Sequence, residues 1–407
     1  MLRPLAIATF AAALFCGCTT TRQKPMTDLT PTLQHAGGGN FDSILRSPEP
    51  LRAQVLVSET VTNAHGDVEL RRHGYRVDAE YFYPASSIKL CAAVAALQVA
   101  EKLQPPDLQT DLMDVPMEIA PLFEGDKPQT TEPSNLDGGK ITISHEMRKL
   151  AIVSDNPAFN RFFDLVGHAE LNRTMHAAGL KSVVINHRLS EPRTIPDMLA
   201  SAEVSFRVPS GELIKVPARV SSLKLRNTSK NLLVGDGYLK GKEIIKTPMD
   251  FSARNGISLV DLQDLMVKVA RPDIRLGSPG LRLSESHRAR LLQAMYEYPR
   301  ESKNPIYNDK THTDDYTKFL LPGIRRIFPS TVPGQRIEIA GKIGRAYGFS
   351  IENCYVKNPA NGRSVFVTAV LYTNADGILN DDKYEYETVA DPFFADLGEL
   401  VARRWLK

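Results

Sequence analysis

Ser86 and Lys89 stand three residues apart, directly before an apolar run that reaches about residue 103. On a helix this spacing sets both side chains on one face, about one turn apart. A serine alcohol is weakly nucleophilic at neutral pH and needs a base beside it. A lysine becomes that base when burial or a neighbouring cation lowers its pKa. Residues 91–99 are Cys, Ala, Val and Leu with one Gln, which predicts a helix buried along its length. Such a helix, starting at Ser86, aims its unused backbone N–H groups near the nucleophile and takes Lys89 out of water. The same spacing recurs as Ser221 and Lys224, but there Leu223 and Leu225 alternate with polar residues in strand fashion. Residues i and i+3 of a strand face opposite sides, so Lys224 cannot serve Ser221, and this copy reads as a decoy.

Two further short motifs carry chemistry. Ser154-Asp155-Asn156 lies in a break between two helical stretches, and Lys342-Ile343-Gly344 follows a strand-like run. Taken alone, Asp155 and Asn156 are ordinary turn formers. Glu191, followed by Pro192, is the only carboxylate between Lys181 and Pro196. His312, Asp314 and Asp315 read as solvated loop charges rather than metal ligands. His145-Glu146 lacks a second His four residues on, so it is not a zinc helix. No metal or other cofactor is expected.

The chain has 407 residues, 42% of them hydrophobic and 24% charged, which is ordinary for a globular protein. A net charge of +3 and the lack of a basic block with interleaved aromatics argue against a nucleic-acid partner. Arg3 and the apolar residues 5–15 read as a targeting segment too short to span a bilayer. It ends in Phe15-Cys16-Gly17-Cys18, so residues 1–18 are expected to be a lipoprotein-type signal peptide with Cys18 as the lipidated residue. Export without lipid is the alternative. Cys91 reads as a small hydrophobe in the buried helix and Cys354 sits in a strand-like run, with a bridge between them as the other reading.

Residues 19–40, rich in Thr, Pro and Gly, are expected to be a flexible tether, and 41–407 one catalytic domain. Its sheet part comprises 41–85 and 325–407, and its helical part 86–324. Within the latter, 104–140 reads as a long irregular surface connection and about 200–250 as a β-rich insertion. Ser258 and Ser284 are expected to cap amphipathic helices, and 391–405 a closing helix. The fold class is α+β: an antiparallel sheet of about five strands, flanked by helices, beside a helical domain.

Ser86-x-x-Lys89, Ser154-Asp155-Asn156 and Lys342-x-Gly344, in this order and in these elements, resemble the motif set of the class A β-lactamases and related penicillin-interacting serine enzymes. The flanks Phe82-Tyr83-Pro84-Ala85, Pro157-Ala158-Phe159-Asn160 and residues 283–288 resemble family segments too. The resemblance implies a site between sheet and helical domain, where Ser86 forms an acyl-enzyme and Lys89 and Ser154 relay its proton. It implies that Asn156 and Lys342 bind substrate, and that backbone N–H groups of Ser86 and Arg345, the residue after Gly344, hold the oxyanion. Two departures stand out. Ile343 replaces a hydroxyl residue that would help bind a substrate carboxylate, which leaves the Arg345 side chain as the candidate substitute. The Arg188-Leu189-Ser190-Glu191-Pro192-Arg193 loop is one residue longer than the family pattern, with Glu191 as the candidate water-activating base.

The function implied is hydrolysis of a β-lactam through an acyl-serine. The rivals are a D-alanyl-D-alanine peptidase or esterase with slow deacylation, and a catalytically weak cell-wall-binding lipoprotein. The expected partners are a small β-lactam or cell-wall peptide, and a membrane only through the N-terminal lipid. The chain is expected to be a monomer in the periplasm or cell envelope.

Overall fold

The computed structural model describes residues 25–36 and 39–407. The expected signal peptide and Cys18 lie outside them. The described part of the 19–40 stretch differs from a tether. It holds strand β1 (Thr27–Asp28), helix α1 (Thr30–Ala36) and the start of helix α2 (Gly39–Arg46). Leu29, Leu33, Phe41 and Ile44 are buried, so apolar side chains the composition had masked hold this segment on the sheet.

The remaining sheet strands are β2 (Gln54–Thr62), β3 (Val68–Tyr75), β4 (Glu338–Gly341), β5 (Gly344–Ala346), β6 (Phe349–Lys357) and β7 (Ser364–Tyr372). They pair in the order β1-β3-β2-β7-β6-β4, with β5 also on β6. All contacts are antiparallel except that of the two-residue β1 on β3. The expected sheet of about five strands is thus present, extended by β1 and with its far edge split into β4 and β5.

Alternation along the strands divides the core in two. Leu56, Phe366 and Val370 face the helical domain, while Val55, Val57, Val365 and Val367 pack on the terminal helices. Because both faces are covered, β6 and β7 are buried along nearly their whole length, and β7 reads as a nearly continuous apolar run.

The helical domain contains α3 (Lys89–Leu103), α4 (Ile143–Ile152), α5 (Asn156–Val166), α6 (His168–Ala177), α7 (Leu259–Ala270) and α8 (Glu285–Tyr296). Thr142, Asp155, Ser258 and Ser284 each accept the backbone N–H three residues on, as N-caps. Helices α9 (Leu321–Ile327) and α10 (Asp391–Val401) return to the sheet. Every residue of α3 from Lys89 to Leu97 is buried, with four alanines letting neighbouring helices approach closely.

Residues 104–140 are not wholly superficial. Leu112, Met113, Val115, Met117 and Ile119 are buried, and Met117–Ile119 pairs with Val204–Arg207 of the insertion. The insertion is β-rich, in short separate pairings rather than one sheet. Cys91 and Cys354 are buried free thiols, so no bridge joins them.

Candidate active site

Ser86 lies in a single helical turn, Ala85–Ile88, that runs into α3. Ala85 before it has φ +47°, a left-handed conformation rarely adopted by a residue with a Cβ. Ser154 (φ +60°), Ser190 (φ +56°) and Tyr347 (φ +53°) share that region and line the same cleft. Backbone strain therefore gathers around Ser86, held by the surrounding packing. The Ser86 side chain makes no hydrogen bond among the described residues and faces two lobes of one cleft, of about 510 and 470 Å³.

The three motifs meet behind it. Lys89 Nζ donates to Asn156 Oδ1 (2.6 Å), to the Ser154 carbonyl, and at 3.4 Å to Ser154 Oγ. Lys342 Nζ donates to Ser154 Oγ from the other side at 2.7 Å and to the Ile343 carbonyl at 3.1 Å. With two amines donating to it, the Ser154 hydroxyl turns its own hydrogen toward the cleft. Burial lowers the Lys89 pKa to about 7, opposed by the charge of Asp155. Burial drives Lys342 well below the ordinary lysine value, the Lys89 charge lowers it further, and Glu352 opposes both. This arrangement can take a proton from Ser86 and pass it on.

Strand β5 closes the site. A Cβ on Gly344 would lie 2.4 Å from the Pro84 carbonyl oxygen, 2.9 Å from Ser87 N and 3.0 Å from Ser86 N. Only glycine lets the strand approach the Ser86 turn this closely.

Two expected roles meet other geometry. Glu191 does not reach Ser86 or Lys89. Its Oε1 accepts from Asn160 Nδ2 at 3.0 Å, and its Oε2 lies 3.5 Å from Arg193 Nε and 3.9 Å from Arg188 Nε. It lines a separate cavity of about 320 Å³ with Phe123, Asp126 and Arg193. Asn160 also bonds the backbone N–H and carbonyl of Leu189, so Leu189 and Ser190 face Ser86 instead. These bonds hold the carboxylate away from Ser86. Burial raises the Glu191 pKa, and the Arg188 charge opposes the rise.

Arg345 lines both lobes, but its guanidinium is engaged. It pairs with Asp391 and stacks on Phe319 (4.4 Å) and Tyr386 (4.8 Å). The described part of the His312 region likewise forms ion pairs, with Asp314 bonded to Arg300 and Arg325.

Sequence reasoning missed one wall of the cleft. Tyr83, Tyr347, Tyr384 and Tyr386 converge on the larger lobe, Tyr83 meeting Tyr347 edge-on at 5.2 Å. Ser190, which accepts from Asn156 Nδ2 at 2.8 Å, was also unmarked. Nothing local in the sequence of residues 380–386 signals a cleft.

A family model described as the β-lactamase enzyme family matches residues 71–405. Among solved structures, the chain is similar to a β-lactamase from Xanthomonas campestris (15% identity, 93% of this chain and 99% of that one, TM-score 0.49). It is similar to a β-lactamase from Desulfarculus baarsii (14% identity, 92% and 96%, TM-score 0.48). It is also similar to a PBP-A variant in an acyl-enzyme complex with penicillin G (18% identity, 93% and 98%, TM-score 0.46). No curated protein matches the chain.

Proposed function

The chain belongs to the β-lactamase enzyme family, and from that premise we propose that it is a serine hydrolase acylated at Ser86 by β-lactam-type amides and slow to release the acyl group. Acylation is supported by the convergence of Lys89, Ser154 and Lys342 behind a Ser86 hydroxyl that makes no hydrogen bond among the described residues. Ser86 Oγ attacks the amide carbonyl, Lys89 in its neutral form takes the proton, and the Ser154 hydroxyl carries a proton to the leaving nitrogen. The N–H groups of Ser86 and Arg345 are the proposed oxyanion donors.

Slow release rests on one observation, the attachment of Glu191 to Asn160, Arg188 and Arg193 in a cavity apart from Ser86. General-base activation of water typically contributes about 10²–10⁴-fold. With Glu191 held in another cavity, it does not supply that factor at deacylation. The proposed activity is that of a slow-releasing penicillin-binding peptidase rather than of a rapid class A β-lactamase.

Fluorescent penicillin tests both halves. The parent protein should be labelled and hold the label, and Ser86→Ala should not label. Glu191→Ala should leave the adduct lifetime unchanged. Rapid loss of label in the parent, prolonged at least about 10²-fold by Glu191→Ala, would restore Glu191 as the base.

A further inference from the structure

We propose that Ser221, His168 and Asn186 form a second nucleophilic site, remote from Ser86, that hydrolyses carboxylic esters with an apolar acyl chain and an anionic group.

The three residues come from separate segments and form a directed chain. Ser221 Oγ lies 2.7 Å from His168 Nδ1, and His168 Nε2 lies 3.2 Å from Asn186 Oδ1. Asn186 Nδ2 donates to the carbonyls of Leu225 and Ala253, both at 3.1 Å, which fixes its oxygen toward the imidazole. An oxygen accepts only, so Nε2 carries the hydrogen and Nδ1 is the acceptor that faces Ser221. Ser221 Oγ also accepts the Leu223 N–H at 3.1 Å, which leaves its own hydrogen for Nδ1. This is the relation of nucleophile, base and orienting group that activates a serine. Burial lowers the His168 pKa from its ordinary value, with the Asn186 bond opposing, so the ring is neutral at pH 7 and able to accept a proton.

Ser221 and His168 open on a cavity of about 410 Å³ between α3, α6 and the insertion. Its apolar wall includes Val99, Leu103 and Val216, and the cations Lys102, Arg173 and Arg219 outnumber the carboxylate Glu170. Helix α6 has Gly167 as its N-cap and so no side-chain cap. Ala169 and Glu170 lie in its first turn and line the same cavity, so their N–H groups are available to an oxyanion.

In the reaction, Ser221 Oγ bonds to the ester carbonyl carbon and its proton moves to His168 Nδ1. The bond from that carbon to the alcohol oxygen breaks, and the alcohol leaves with the proton. Water then cleaves the acyl-serine, giving the acid and restoring Ser221. Asn186 acts as a positioning residue.

The test uses the full-length Ser86→Ala protein, in which the first nucleophile is absent. A fluorophosphonate probe should form an adduct that peptide mass spectrometry maps to Ser221. Hydrolysis of p-nitrophenyl esters should persist, favour an ω-carboxylated acyl chain over a neutral one, and fall about 10²-fold or more with His168→Gln or Ser221→Ala added. No adduct on Ser221, or hydrolysis untouched by Ser221→Ala, overturns the proposal. Equal rates for the two esters overturn its anionic preference. The adduct is read before any change at Ser221, so a misfolded second variant cannot conceal the answer.

Discussion

Two lysine amines reach one hydroxyl at Ser154, and burial acts on both. Two cations that close in a dry site are costly, so one amine gives up its proton near neutrality. Lys89 does so at about 7, which fits it to accept the Ser86 proton. Below that pH it is an ammonium and cannot act as a base, while above it the free amine prevails. The acylation rate should therefore climb about tenfold per pH unit below about 7 and level off above it. Stopped-flow labelling between pH 5.5 and 8.5 would show this, and a flat profile would remove Lys89 from the role. Lys89→Arg, cationic at every accessible pH, should acylate about 10²–10⁴-fold more slowly at pH 8. Folding feels the same shift with a defined sign. Between about 7 and the ordinary value of 10.5, the unfolded chain holds a proton that the folded one has released, so this group makes stability rise with pH across that window.

Elements, rather than side chains, set the distance between β5 and the Ser86 turn. The atoms a Cβ at Gly344 would strike are backbone atoms of Pro84, Ser86 and Ser87, which cannot swing aside. Gly344→Ala should push strand and turn apart, displace the oxyanion donors, and slow acylation by about 10²–10³-fold. Its thermal unfolding should remain cooperative, and acylation at the parent rate would show that the gap is slack. Much of this was legible in the chain, because motifs at fixed spacing and caps such as Ser258 and Ser284 act within a few residues. Glu191 was legible as a residue but not as a direction. Its side chain is set by Asn160, 31 positions away, and by Arg193. The tyrosine wall, the Ser221–His168 contact and the burial of Leu29, Leu33, Phe41 and Ile44 share that limit, since each depends on pairings between distant parts of the chain.

At the scale of the molecule, the insertion bears on the cleft without lining it near Ser86. Its strand Gly237–Lys240 runs parallel to Ile378–Leu379, just before the loop that carries Tyr384 and Tyr386. Asp236 N and Gly237 N donate to the Gly377 carbonyl at 2.8 and 3.2 Å, and Asn380 Nδ2 donates to the Leu239 carbonyl at 3.0 Å. These bonds strap the tyrosine wall to a segment more than 130 residues away in the chain. The strap has little room, because a Cβ on Gly237 would lie 2.7 Å from the Ile245 carbonyl oxygen and 3.2 Å from Ile378 Cδ1. Gly237→Ala should part the two strands and free the 376–386 loop. Hydrogen exchange should then rise there and not in α3, which is buried in the main core. A large aromatic penicillin should label Ser86 less efficiently, through weaker binding, while the lysine-dependent pH profile keeps its midpoint. Unchanged exchange at 376–386 would mean that the loop holds itself, by the Tyr384 hydroxyl accepting Asn380 N–H (2.6 Å) and that of Tyr386 accepting Gly348 N–H (2.9 Å).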